Sequence, residues 1–230
     1  MSANSRAEER RAEEGVALRD VFPPGPDAAS VLVQGPAMVG KQEIGVELLS
    51  TASSGGGQPI AVTTADTAGQ LRSAFREAGG NETDRVLVVD CLPVDSGSTD
   101  EWTRSVESPS DLTGIAMAVS GALENIPESR RRGSRLLVDN VATMLMYAEI
   151  EPVYRFLHAL VQRIEKVGGA VVATLDTDGI ERSENRALVG LFDAVVEVRR
   201  SESTTEVRIE GREEAPDGWH RYDGPGGVEP

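Results

Sequence analysis

Lysine is nearly missing from this chain. Of 230 residues only Lys41 and Lys166 are lysines, so almost all the positive charge is arginine. With 38 Asp and Glu against 23 Lys and Arg, the formal net charge is −15. Nonspecific binding to a nucleic-acid backbone needs a net basic face, so DNA is not an expected partner. Cysteine occurs once, at Cys91, which excludes an internal disulfide and a cysteine-based zinc site. The two histidines, His158 and His220, lie far apart and form no metal-ligand spacing. His158 falls in a helical segment and reads as a packed or half-buried side chain. Aromatic residues make up 4% of the chain, so few rings are available to stack on a base. No signal peptide and no apolar run of membrane-spanning length is recognisable; a cytoplasmic protein with no membrane partner is the expectation.

What the sequence does contain is alternation. Short, continuous, β-branched runs at 31–33, 60–63, 86–89, 136–138, 170–174 and 194–198 predict strands buried on both faces of a parallel sheet. Helical patterns at 41–53, 66–78, 111–126, 150–167 and 183–191 separate them. Asp111 is placed to cap the third helix. In the fourth, Val153, Phe156, Leu157, Leu160, Val161 and Ile164 share one face and read as core. The runs 194–198 and 205–209 flank a polar turn and predict an antiparallel hairpin at the sheet edge. Strands alternating with helices imply a layered α/β domain with right-handed crossovers.

The length suits one domain with tails. Residues 1–27 read as a charged N-terminal arm, closed by Pro23-Pro24-Gly25-Pro26. The domain then occupies 28–210. Residues 211–230 read as a flexible acidic tail that Trp219 and Tyr222 could tack to the body. The polar stretch 95–111 has the character of a loop that flanks a site.

One motif stands out. Gly35-Pro36-Ala37-Met38-Val39-Gly40-Lys41-Gln42 fits the phosphate-loop pattern G-x-x-x-x-G-K-[ST] everywhere but its last position, between a strand and a helix. The glycines would let the backbone of residues 37–42 turn its N–H groups toward phosphate oxygens at the positive end of the helix. Gly35, Ala37, Met38, Val39, Gly40, Lys41 and Gln42 are therefore the nucleotide-binding candidates, with Lys41 reaching the outer phosphates. A Ser or Thr at 42 would place a hydroxyl on Mg²⁺, and Gln42 offers an amide instead. The competing reading is a plain glycine turn between strand and helix.

Two predicted strands end in aspartate, Asp90 and Asp139. An acid at the tip of an apolar strand can hold the Mg²⁺ shell beside bound phosphates; it can also simply cap an exposed strand end. Thr174-Leu175-Asp176 ends another strand, where polar groups could sense a terminal phosphate. Arg130-Arg131-Arg132 reads either as a solvated turn or as a cation offered to a neighbouring subunit.

The set formed by residues 35–42, Ile60-Ala61-Val62-Thr63-Thr64-Ala65-Asp66, Ser108-Pro109-Ser110-Asp111-Leu112-Thr113-Gly114-Ile115, residues 135–139 and Tyr154-Arg155-Phe156-Leu157-His158 resembles the RecA/KaiC-type ATPases over roughly residues 28–200. In particular it is similar to the small single-domain KaiC-like proteins of halophilic archaea, in which high salt screens a surface this acidic. The resemblance implies a three-layer RecA-like phosphate-loop domain with a mostly parallel central sheet and an antiparallel edge hairpin. It also implies ATP and Mg²⁺ as cofactors, with Asp139 as the acid that helps hold the metal. The family's water-activating acid pair falls on Ala65 and Asp66, leaving Asp66 as the one catalytic candidate. With Gln42 and Ala65 both departing from the pattern, the expectation is a nucleotide-binding regulatory protein whose hydrolysis is weak or absent, working with a protein partner or as a homo-oligomer. The alternative is an interaction module that kept the fold and lost the nucleotide.

Overall fold

A computed structural model of the chain describes residues 15–25, 28–81, 85–92, 100–202 and 204–225. Most of the charged N-terminal arm, part of the polar loop after residue 92 and the last five residues of the tail lie outside the described residues.

The apolar runs are continuous because each strand is covered on both sides. In β1 (Val31–Gly35), Val31 and Val33 enter one hydrophobic cluster and Leu32 enters the other. The same alternation holds in β5 (Arg135–Asp139), where Leu137 faces the first cluster and Leu136 and Val138 face the second. The first cluster is closed by α1 (Leu18–Val21), α2 (Lys41–Ser54) and α3 (Ala68–Glu77). The second is closed by α4 (Leu112–Asn125), α6 (Val141–Leu145), α7 (Ile150–Lys166) and α8 (Arg182–Val189). Two helical layers on one sheet give the expected three-layer α/β domain.

The remaining strands are β2 (Pro59–Thr63), β3 (Leu87–Asp90), β4 (Thr103–Ser105), β6 (Ala170–Asp176), β7 (Ala194–Ser201), β8 (Thr204–Glu210) and β9 (His220–Arg221), and a short helix α5 (Glu128–Arg131) precedes β5. The sheet order is β4-β3-β2-β5-β6-β1-β7-β8-β9. Pairing is parallel from β4 to β7 and antiparallel from β7 to β9. The carboxyl ends of β1, β5 and β6, which lie side by side, therefore share one edge, where ligands of open α/β sheets bind.

Local signals hold where the chemistry is local. Asp111 caps α4, its carboxylate accepting from the Gly114 N–H at 2.8 Å. The six-residue apolar stripe of α7 is buried throughout. The helix expected from 66 begins at Ala68, because Thr67 and Gln70 form a reciprocal capping box ahead of it. Five elements are too short for a period to reveal them: the strands β4 and β9 and the single-turn helices α1, α5 and α6.

Beyond Gly211 the chain returns to the sheet. β9 pairs with β8, and Tyr222 bridges to Val16. The Trp219 ring lies under the Arg199 guanidinium at 4.1 Å and beside that of Arg208 at 5.2 Å. The Tyr222 hydroxyl donates to Glu47, which is 1% exposed. Burial pushes the Glu47 carboxyl above its usual range, against the pull of Tyr222 and Arg19.

At the amino end of the central strand β5, Arg135 is 1% exposed. Its guanidinium donates to the carbonyls of Leu48 at 3.2 Å, Phe22 at 3.1 Å and Pro23 at 2.9 Å. Burial lowers its pKa to about 10, so it remains a cation at neutral pH and ties α1 and α2 to the sheet. Among the described residues no helix is long and apolar enough to cross a membrane.

Candidate functional site

The Gly35 loop is shaped by its backbone. A Cβ on Gly35 would meet the Val198 carbonyl oxygen at 2.2 Å, so the strand end admits only glycine. Met38 and Gly40 both take positive φ, at 62° and 95°. For a methionine that is an uncommon conformation, and its side chain is 92% exposed. Gly40 caps α2 with no side-chain hydrogen bond to the helix. The first-turn N–H groups of α2 have no intrahelical acceptor, and they carry the positive end of the helix dipole.

The cations and N–H groups of this loop face carboxylates. Lys41 is 5% exposed. Its ammonium donates to the Pro36 carbonyl and pairs with Asp176 at 2.6 Å. The Ala37 N–H donates to Asp178 at 2.9 Å. Asp176 ends β6, and Asp178 sits on the connection from β6 to α8. Asp176 was legible as a strand-end residue. Asp178 was not, because nothing in a polar turn says which acid will fold back onto a distant loop.

On the far side of Lys41, Asp139 ends β5 at 3% exposure. The Thr174 hydroxyl donates to one of its oxygens and the Gln42 amide to the other, the latter at 2.9 Å. The same Gln42 nitrogen donates to Asp66. Asp66 is held in its turn by Thr63, whose hydroxyl donates to the Asp66 carbonyl at 2.9 Å and accepts from its N–H at 3.1 Å. Asn140, which no sequence pattern singled out, donates to Asp176 at 2.7 Å. Burial pushes the Asp139 carboxyl above its usual range; Thr174 and Gln42 oppose this, and the charges of Asp66 and Asp176 add to it. Loop, lysine and acids enclose a cleft of about 350 Å³.

A magnesium ion asks for an octahedron of oxygen donors. Here the N–H groups of the Gln42 amide bridge Asp66 and Asp139, and each carboxylate oxygen of Asp139 already accepts a hydrogen bond. The donor set as arranged does not fit that ion.

The other candidates lie elsewhere. Asp90 turns to α3 and accepts from the N–H groups of Ala68 at 3.2 Å and Leu92 at 3.0 Å. Ala65 is exposed. The run 130–132 precedes β5 and so lies at the sheet edge opposite the cleft. There Arg130 donates to Gly57 at 3.1 Å, and Arg131 donates to Ile126 at 2.8 Å and Glu124 at 3.0 Å. Arg131 closes its own turn, and Arg130 reaches across to the residue before Gln58 and β2. His158 is exposed rather than packed, stacked on Tyr154 with ring centroids 6.1 Å apart. Cys91 is buried, which raises its thiol to about 12 and leaves it no thiolate at neutral pH.

Residues 28–198 match a family described as a family of unknown function (DUF7504). No curated protein matches the chain. Among solved structures, a KaiC-like protein from the hyperthermophilic archaeon Pyrococcus horikoshii OT3 superposes with a TM-score of 0.58 at 17% identity, covering 93% of this chain and 94% of that one. At that identity the likeness establishes a RecA/KaiC-like fold and no more.

Proposed function

The chain belongs to the DUF7504 family, whose function is unknown, so its activity has to be argued from its own residues; we propose a nucleotide-binding regulatory protein of the RecA/KaiC type with weak or absent hydrolysis. One observation carries the reading. A glycine loop with two positive-φ residues delivers a buried lysine and an uncapped helix N-terminus into the same cleft as the strand-end acid Asp139. In this reading the backbone of residues 37–42 cradles phosphate oxygens and Lys41 leaves Asp176 to neutralise them. Asp66 is the sole acid near enough in the pattern to position water. Gln42 and Ala65 in place of a hydroxyl and a second acid keep turnover low, because phosphoryl transfer depends on positioning and charge stabilisation.

Regulation follows from the pairing. A phosphate that draws Lys41 and the Ala37 N–H away from Asp176 and Asp178 frees the segment leading into α8. Occupancy would then bias a partner or self-association surface at this edge. We place the protein in the cytoplasm and attribute its charge to a salt-rich interior like that of halophilic archaea, where repulsion among carboxylates is screened.

A second reading, an interaction module that has lost the nucleotide, is favoured by one fact: Lys41, the Ala37 N–H and Gln42 each already have an acidic partner within the chain. A thermal-shift titration with ATP, ADP and GTP in molar KCl separates the two, since a ligand that binds the folded state stabilises it by mass action. Nucleotide binding should weaken at least ~tenfold in Lys41→Ala, about 1.4 kcal/mol. A wild-type protein that no nucleotide stabilises would leave the module reading.

A further inference from the structure

We infer that the Gln42 side-chain amide takes the place of a divalent cation in this cleft, so that the phosphate-bearing ligand is bound without metal. The inference rests on the nucleotide-binding reading for its ligand, but its metal half can be tested separately.

The geometry is specific to an amide. A serine or threonine hydroxyl has one hydrogen and can satisfy one carboxylate. The Gln42 nitrogen carries two, and it has two carboxylate acceptors, Asp66 and Asp139. Its longer side chain spans from the first turn of α2 to the tips of β2 and β5. The two strand-end carboxylates at the cleft, Asp139 and Asp176, have both oxygens committed. Asp139 accepts a second bond from the Thr174 hydroxyl. Asp176 gives one oxygen to Lys41 and the other to Asn140. A cation entering between Asp139 and Asp176 would have to compete with a donor on each of their oxygens.

The consequence is electrostatic. A divalent cation would offset the charge of both acids and of the ligand's phosphates together. The amide is neutral, so it ties Asp66 and Asp139 in place and leaves their charge in the cleft. The bound phosphates must then be neutralised by Lys41 and by backbone N–H groups alone, which favours a ligand of few charges, such as a nucleoside diphosphate over a triphosphate.

Two arms test this. In the first, ADP is titrated calorimetrically into the wild-type protein in excess Mg²⁺ and in EDTA. The affinities should agree within about twofold. A tenfold or greater gain with Mg²⁺ overturns the inference. In the second, Mn²⁺ is titrated without nucleotide and followed by its paramagnetic resonance signal, for wild type, Gln42→Thr and Gln42→Ala, each checked for native circular dichroism. Mn²⁺ should bind one or both variants and not the wild type. Binding to wild type, or to none of the three, overturns the inference. If ADP binds in neither buffer, the nucleotide reading fails, while the Mn²⁺ arm still decides whether Gln42 stands in for a cation.

Discussion

If the Gly35 loop binds phosphate as proposed, Asp178 competes with that ligand, and removing its carboxylate should tighten binding. The carboxylate accepts from the Ala37 N–H at 2.9 Å, which is one of the donors a phosphate would use. A hydrogen bond to a charged group is worth about 1.5–3 kcal/mol net when sheltered. Asp178 is exposed, so solvent reduces that to about 1 kcal/mol. Losing one negative charge at the rim adds about 0.5 kcal/mol in high dielectric. Together these predict that Asp178→Ala binds ADP about tenfold more tightly than wild type, ~1.4 kcal/mol. Calorimetric titration at two salt concentrations measures it, and the charge component should shrink at the higher one. Stability should stay within about 0.5 kcal/mol, as for most surface substitutions. Unchanged or weaker ADP binding by a folded Asp178→Ala protein would refute the argument that this carboxylate stands in for a phosphate oxygen.

Other predictions concern the frame around the site. Arg135→Met should lower the free energy of unfolding by about 2–3 kcal/mol, because three carbonyls lose their donor while the desolvation cost of a buried cation is relieved; a urea midpoint that holds or rises would show the guanidinium to be replaceable. Glu47, held above its ordinary carboxylate range by burial, binds its proton more tightly folded than unfolded. Stability attributable to it therefore falls as pH rises from its unfolded value near 4.5 through the raised folded value. Glu47→Gln should thus stabilise the protein relative to wild type at pH 8 more than at pH 4.5, and an equal difference in urea midpoint at both would contradict this. With a net charge of −15, the melting temperature should climb from low to molar KCl as the Debye length shrinks below ~10 Å, and a flat profile would remove the salt-rich interpretation of the composition.

The sequence by itself determined the class of fold. Short β-branched runs without alternation, set between helical patterns, read as strands covered on two faces, and a helical stripe such as that of α7 reads as buried on one. It also determined the loop that begins at Gly35, since glycines at 35 and 40 are a backbone requirement written directly into residue type. Asp139 was legible because it ends an apolar run. What the residues do to one another was decided by tertiary structure alone. Asp178 meets Ala37, Gln42 spans Asp66 and Asp139, and Asn140 holds Asp176, because β1, β2, β5 and β6 end at the same edge of one sheet, although up to 141 positions separate the partners along the chain. Arg135 and Asp90 show the same limit from the other side. Each looks from the sequence like the end of a strand, yet one became a buried clamp on carbonyls and the other a cap for α3. Hydrogen bonds are short-ranged and directional, so a sequence can supply donors and acceptors, but only the packing of the sheet and its helices selects which of them come within reach.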